Sequence, residues 1–101
     1  MLKHIVAWKL KAEAEGKSKT ENAAWMKKHL EALYGVIPEL KALEVGININ
    51  PSEMAYDAVL TSSFEDEKAL ERYKIHPEHV KISSYCEKIR ESRVVVDYWE
   101  E

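Results

Sequence analysis

Residues 73–79 contain the side chains of this chain that are best suited to acid–base chemistry. Tyr73, His76 and His79 place one phenol and two imidazoles within this short segment. Together they offer a hydrogen-bond donor, an acceptor and a group that titrates near neutral pH. Pro77 lies between the two histidines, and because its φ is fixed and it lacks an amide proton, a preceding helix must stop there. A second helix can begin with this proline in its first turn, so side chains on the two sides of the break can converge.

Two other interpretations of the same segment stay open beside the catalytic one. His76 and His79 have the spacing of a metal-ligand pair, but Pro77 breaks the helical geometry that would aim both imidazoles at one ion. We therefore expect no metal ion at this segment. Histidines at a helix junction can also bind the last carbonyl groups or cap the helix end. The segment is thus structural, ligand-binding or catalytic.

Length and composition predict one small folded domain over residues 1–101. Hydrophobic residues make up 46% and charged residues 33% of the chain, which is typical of a folded rather than a disordered protein. The net charge of −3 argues against a nucleic-acid partner, which would require a basic face. No apolar run approaches the ~20 residues that cross a bilayer, so we expect no membrane partner. The single cysteine, Cys86, excludes an internal disulfide, and we expect a cytoplasmic protein.

The spacing of apolar residues predicts an α+β fold. Strands are predicted at residues 2–10, 41–49, 56–63 and 93–99, where apolar side chains alternate. Helices are predicted from Ser18 or Thr20 to about Tyr34, over residues 65–75 and, as a short helix, after Pro77, with a polar loop at 11–17. This order is that of the ferredoxin-like split βαβ protomer, a four-stranded antiparallel sheet with helices on one face.

Both faces of the predicted sheet are apolar, although its helices can cover only one of them. On the first strand Val6 and Trp8 lie on one face, and Ile5 and Ala7 lie on the other. Residues 94–99 repeat this pattern on the last strand. A bare apolar sheet face marks an interface. We therefore predict a homodimer in which two copies pack through the sheet face.

The covered face of the sheet should line a cleft against the helices. His4 lies on the same strand face as Val6 and Trp8, so it points toward the helices. Met26 lies on the apolar stripe of the first helix and is predicted, like Trp8, to form core or cleft wall. A small apolar or aromatic ligand in this cleft would contact these four side chains and His76.

A series of short motifs over about residues 3–99 carries a resemblance to a known family. The motifs are His4-Ile5-Val6 with Lys9, Ile37-Pro38, Leu43-Glu44-Val45-Gly46, Tyr56-Asp57, Phe64-Glu65-Asp66-Glu67 with Ala69-Leu70, His76-Pro77-Glu78-His79 and Val94-Val95-Val96-Asp97-Tyr98. The ordered set resembles the stress-responsive α/β-barrel (Dabb) domain family. The resemblance implies a ferredoxin-like protomer that dimerises through its sheet into a dimeric α/β barrel. It implies a link to stress responses but no single activity, since many members have none assigned.

Some plant members of that family are polyketide cyclases, which close a linear polyketide by aldol chemistry without a metal or cofactor. The resemblance matches their reacting tyrosine and histidine to Tyr73 and His79, and a histidine that lines their pocket to His4. His79 would be the general base and Tyr73 the donor to the enolate oxygen. From the fold and the resemblance together we expect a dimeric protein that binds a small molecule and needs no cofactor. The alternatives are a cofactor-independent cyclase or lyase and, by fold analogy with antibiotic-biosynthesis monooxygenases, a cofactor-free oxygenase.

Overall fold

The computed structural model describes residues 1–101, which form a four-stranded antiparallel sheet and three helices, so the predicted ferredoxin-like fold is confirmed. The sheet strands are β1 (Leu2–Leu10), β4 (Ala42–Ile47), β5 (Ala58–Phe64) and β6 (Arg90–Trp99), in the spatial order β4-β5-β1-β6. A small hairpin of β2 (Glu13–Ala14) and β3 (Lys17–Ser18) precedes helix α1 (Lys19–Glu31). Helices α2 (Glu67–Ile75) and α3 (Pro77–Ile89) lie between β5 and β6. None of the three helices has the length and apolar character needed to cross a membrane.

The β2–β3 hairpin replaces the loop that was predicted at residues 11–17. Its two turn residues, Glu15 and Gly16, have φ values of 53° and 74°. Positive φ at both central residues is the geometry of the two-residue hairpin turn. Glycine adopts this geometry freely, whereas glutamate rarely does, and for that reason the sequence pattern does not reveal the hairpin.

Helix α1 begins where the sequence predicts and ends earlier. The Ser18 hydroxyl accepts the Glu21 N–H at 3.2 Å, and the Glu21 carboxylate accepts the Ser18 N–H at 3.0 Å, which together form a capping box. The helix ends at Glu31 and not at Tyr34. The chain continues in tighter turns to Gly35, whose φ of 91° turns it out of the helical direction.

Other boundaries also differ from the prediction: β5 begins at Ala58 and not at residue 56, and α2 begins at Glu67 and not at residue 65. Strand β4 ends at Ile47, and the predicted strand residue Ile49 is 97% exposed, because Asn48 binds the backbone of the following loop at 2.7 Å. Helix α3 has 13 residues and is therefore not short. It runs directly into β6, which begins at Arg90 and not at residue 93, because the long strand β1 offers pairing partners as far as Leu10.

The core lies between the helices and one face of the sheet. On β1 the five even-numbered residues from Leu2 to Leu10 are buried and the residues between them are half-buried, as the alternation predicts. Met26 from α1, Phe64 from β5 and Ile89 from α3 are fully buried against this face. Met26 is thus a core residue.

The opposite face of the sheet carries no helix. Its apolar side chains, which we call the bare face, are those of Ile5, Ala7, Val59, Val94, Val96 and Tyr98. They share one face because Ile5 pairs directly with Val96, and Ala7 pairs with Val94 and with Val59. Val96 is 58% exposed and Tyr98 47% exposed. The apolar second face predicted from the sequence is therefore present.

Replacing Met26 by alanine should lower the free energy of unfolding by about 2–5 kcal/mol, because the surrounding core fills the resulting cavity only in part. Met26→Leu conserves most of the volume and should cost less than about 1.5 kcal/mol. Met54, which is 87% exposed, provides the control: Met54→Ala should change the value by no more than about 0.5 kcal/mol. Chemical denaturation at one fixed protein concentration measures all three. A cost for Met26→Ala equal to that of the control would contradict the core assignment.

Candidate functional site

The junction of α2 and α3 brings Tyr73 and His79 together. Helix α2 ends at Ile75, and Pro77 occupies the first turn of α3, where its missing N–H leaves no helical hydrogen bond unmade. The ring centroids of Tyr73 and His79 lie 4.4 Å apart across this break. The two side chains that the sequence singled out as a base and a donor are therefore neighbours.

His79 is held in a defined orientation by the backbone of α2. Its Nδ1 lies 3.0 Å from the carbonyl oxygen of Lys74, and this contact assigns the ring proton to Nδ1, which donates. The neutral ring then keeps Nε2 as an acceptor. Burial lowers the pKa of His79 below its ordinary value of 6.5, although the bond to Lys74 acts in the opposite direction. His79 is therefore neutral at pH 7, the state in which an imidazole can accept a proton.

Tyr73 is 1% exposed, and its hydroxyl has no hydrogen-bond partner in the protein. Nearly all buried polar groups of folded proteins are hydrogen-bonded, and leaving one without a partner costs about 1–3 kcal/mol. Burial also raises the pKa of Tyr73. The phenol therefore stays protonated and is available as a donor.

His4 of β1 is the third polar side chain of this cluster. Its ring centroid lies 6.5 Å from that of Tyr73. Its Nδ1 lies 2.5 Å from Oδ1 of Asp97, the residue directly opposite on β6. Burial lowers the pKa of His4, and this effect is larger than the opposing effect of Asp97. Neutral His4 thus donates its Nδ1 proton to Asp97 and keeps Nε2 as an acceptor.

These three side chains line a cavity of about 40 Å³ between the sheet and the helices. Because one water molecule occupies roughly 10–15 Å³ of such a cavity, this one holds a few waters or one small functional group. Val6 and Trp8 of β1 contribute apolar wall, as predicted from their strand face. Pockets for drug-sized ligands are typically ~300–1,000 Å³, so the enclosed part of this cavity is small.

Two predicted ligand contacts lie outside the cavity. Met26 is buried in the core and does not line it. His76 caps α3, because its Nδ1 accepts the Glu78 N–H at 3.1 Å, and it does not line the cavity either. No group of three or more His, Cys, Asp or Glu side chains is arranged to hold a metal ion.

Arg90 and Arg93 also line the cavity, and the sequence does not predict this position for either of them. Arg93 pairs directly with Trp8, and this register places it on the covered face of the sheet. The alternation of residues along β6 predicts part of this arrangement, because Arg93 and Val95 must lie on the same face of the sheet. Which of the two faces that is depends on the pairing with β1, and the sequence does not determine it. Cys86 also lines the cavity, and burial raises the pKa of its thiol to about 11.

Three comparisons place this chain among known proteins. The sequence profile of the stress responsive A/B barrel domain matches residues 2–100. An uncharacterized protein of Streptomyces coelicolor is 34% identical over 79 residues, which cover 78% of this chain and 79% of that protein. A dimeric protein of unknown function with a ferredoxin-like fold, from Bacteroides fragilis, is 34% identical with a TM-score of 0.88, and the match covers 98% of this chain and 95% of that one. The hydroxynitrile lyase of Passiflora edulis is 17% identical with a TM-score of 0.81, over 99% and 93% of the two chains, and shares the fold.

The lowered pKa values of His4 and His79 predict a pH-dependent stability. The unfolded chain takes up these protons near pH 6.5, where the folded chain does not, so protons favour unfolding. The free energy of unfolding should be constant above about pH 7.5 and fall as the pH drops through 6.5. His79→Gln should make this fall smaller, as measured by urea denaturation across the range. His29→Gln leaves both cavity histidines in place and should keep the full fall, and equal falls in both variants would contradict the prediction.

Proposed function

Because this chain belongs to the stress responsive A/B barrel domain family, we propose that it works as a homodimer in which each protomer binds a small molecule in the cavity. The observation that carries this proposal is the Tyr73 hydroxyl, which is buried in the cavity without a partner. A polar group that the protein leaves unsatisfied is available to a ligand atom. Tyr73 then donates a hydrogen bond that the free protein lacks.

The homodimer is supported by the bare face and by the dimeric state of structural neighbours. A chain of 101 residues buries only about 60–70% of the surface of its unfolded state, so further burial adds stability. A two-fold dimer uses the same surface on both copies. Packing the bare faces against each other therefore removes Val94, Val96 and Tyr98 of both copies from water.

The cavity favours a ligand with a small carbonyl-type group on an apolar or aromatic body. Tyr73 offers a donor, the two neutral imidazoles of His4 and His79 offer acceptors, and Val6 and Trp8 offer apolar contact. The enclosed volume of about 40 Å³ accommodates such a group and is too small for a long linear polyketide. These dimensions favour a small ligand over the substrates of the cyclases.

Lyase-type base catalysis is the second candidate, and the geometry of His79 favours it. A ligand carbonyl oxygen bound to Tyr73 would bring the neighbouring C–H group close to the unprotonated Nε2 of His79. The C–H bond breaks, the proton moves to Nε2, and the electron pair forms an enolate whose oxygen the Tyr73 hydroxyl stabilises. The cyclase and oxygenase alternatives rest on the family resemblance and on fold analogy.

We also propose that the protein is cytoplasmic. Its one cysteine, Cys86, is a buried free thiol. Because burial raises the pKa of this thiol to about 11, little reactive thiolate forms at neutral pH. A free thiol fits a reducing compartment, where disulfides are rare.

Replacing Val96 by aspartate should dissociate the dimer, because it places a charge on the bare face directly beside Ile5. Sedimentation equilibrium at micromolar concentration should give the mass of two chains for the native protein and of one chain for Val96→Asp. Ile75, 73% exposed at the end of α2, provides the control, and Ile75→Asp should stay dimeric. A native protein with the mass of one chain would refute the proposed dimer.

Removing the Tyr73 hydroxyl should weaken ligand binding without reducing stability. With acetophenone as the probe, Tyr73→Phe should raise the Kd about tenfold in an NMR titration, which corresponds to one hydrogen bond of ~1.4 kcal/mol. Its Tm should be unchanged or higher, because the hydroxyl has no partner in the free protein. Tyr34→Phe, at an exposed site, is the control and should bind as the native protein does. Equal affinity in all three proteins would contradict the role of Tyr73.

The same titration tests base catalysis when it is run in D₂O. The native protein should speed deuterium exchange into the methyl group of acetophenone, and His79→Gln should abolish this acceleration while the probe still binds. If the native protein binds acetophenone without accelerating the exchange, base catalysis is refuted and the proposed binding function stands.

A further inference from the structure

Two arginines that line the cavity have no acidic partner. Arg90 is half-buried and Arg93 is exposed, so the cavity reaches the protein surface beside them. Neither guanidinium takes part in a salt bridge or a side-chain hydrogen bond. By contrast, Arg72 on the surface of α2 pairs with Glu39 at 3.0 Å. The two positive charges at the cavity are therefore free to act on a ligand.

Arg93 acts on more groups of the cavity than Arg90 does. It lies opposite Trp8 on the covered face of the sheet. Its charge acts toward lower pKa values for both cavity histidines, for Tyr73 and for Cys86. One guanidinium thus lies close enough to influence every titratable group of the cavity other than the arginines themselves.

The lining of the cavity contains no carboxylate to balance these charges. The remaining polar groups that line it are two imidazoles, the Tyr73 phenol, the Trp8 indole, the Ser83 hydroxyl and the Cys86 thiol, all of which are neutral at pH 7. Asp97 is close by, but its carboxylate accepts from His4 at 2.5 Å and does not line the cavity. The cavity therefore combines a net positive charge with an unsatisfied buried donor.

A guanidinium remains charged at all physiological pH values and binds a carboxylate through two parallel hydrogen bonds. We infer that the ligand of this cavity is a small carboxylate anion with an apolar or aromatic body, whose carboxylate Arg93 binds while the Tyr73 hydroxyl donates to a ligand oxygen. Arg90 adds a second positive charge beside the first. This inference rests on the proposed function, because it specifies the ligand of the same cavity.

Benzoate and benzamide are matched probes, since they have nearly the same shape and differ in charge. In NMR titrations of the native protein at low salt, benzoate should bind at least tenfold more tightly than benzamide. Arg93→Gln should weaken benzoate binding about tenfold and leave benzamide binding unchanged. Arg93→Lys keeps the positive charge but lacks the planar guanidinium, so its affinity for benzoate should lie between those of the native protein and Arg93→Gln. Arg72→Gln is the control and should bind both probes as the native protein does.

Each outcome separates this inference from the function on which it rests. Equal affinities for benzoate and benzamide, unchanged by Arg93→Gln but weakened by Tyr73→Phe, would refute the anionic ligand and keep the binding cavity. Failure of benzoate, benzamide and acetophenone to bind would refute the binding cavity as well. If inorganic phosphate displaces benzoate at an equal concentration, the site binds anions in general, and its proposed preference for a carboxylate is refuted. Thermal melting of both Arg93 variants shows that each is folded.

Discussion

The register of β6 on β1 determines which side chains meet in this protein. This pairing sets Asp97 opposite His4 and Arg93 opposite Trp8. Because neighbouring side chains of a strand point to opposite faces, a slip of one residue would turn both charged groups away from the helices. The backbone pairing of the edge strand β6 therefore places the Asp97 carboxylate beside His4 and the Arg93 guanidinium at the cavity.

Local chemistry explains why part of this structure is predictable from the sequence. The alternation of β1 predicts which of its side chains face the helices, and the fixed φ of Pro77 predicts the break that joins Tyr73 to His79. What the sequence does not determine depends on pairing between distant segments. The position of Arg93 follows from register, and the size of the cavity follows from how closely the helices pack on the sheet. For His76 the sequence allowed both a cap and a ligand contact, and only the packed structure shows that it is a cap.

The polar groups of the cavity do not fully satisfy one another, and this lowers the stability of the free protein. Tyr73 keeps a buried donor without an acceptor, although the acceptors of two imidazoles lie in the same cavity. A core built only for stability would fill this space with apolar side chains, since a buried hydroxyl without a partner costs about 1–3 kcal/mol. Asp97 interacts with His4 and not with Arg93, so the positive charge beside the cavity is not neutralised from within. These features are typical of binding sites, where a local loss of stability accompanies function.

Strand β6 also connects the cavity to the bare face. Its side chains alternate, so Val94 and Val96 lie on the bare face while Arg93 and Asp97 lie on the face toward the cavity. Within one protomer this strand pairs on one edge only, with β1, and its residues from 91 to 99 are exposed. A second copy packed on the bare face would therefore restrain β6 from a further side and hold the two charged side chains in place. If the proposed dimer and the proposed ligand site are both correct, dimerisation and ligand binding act on the same strand, and loosening the interface should lower the affinity of the cavity without changing any residue that lines it.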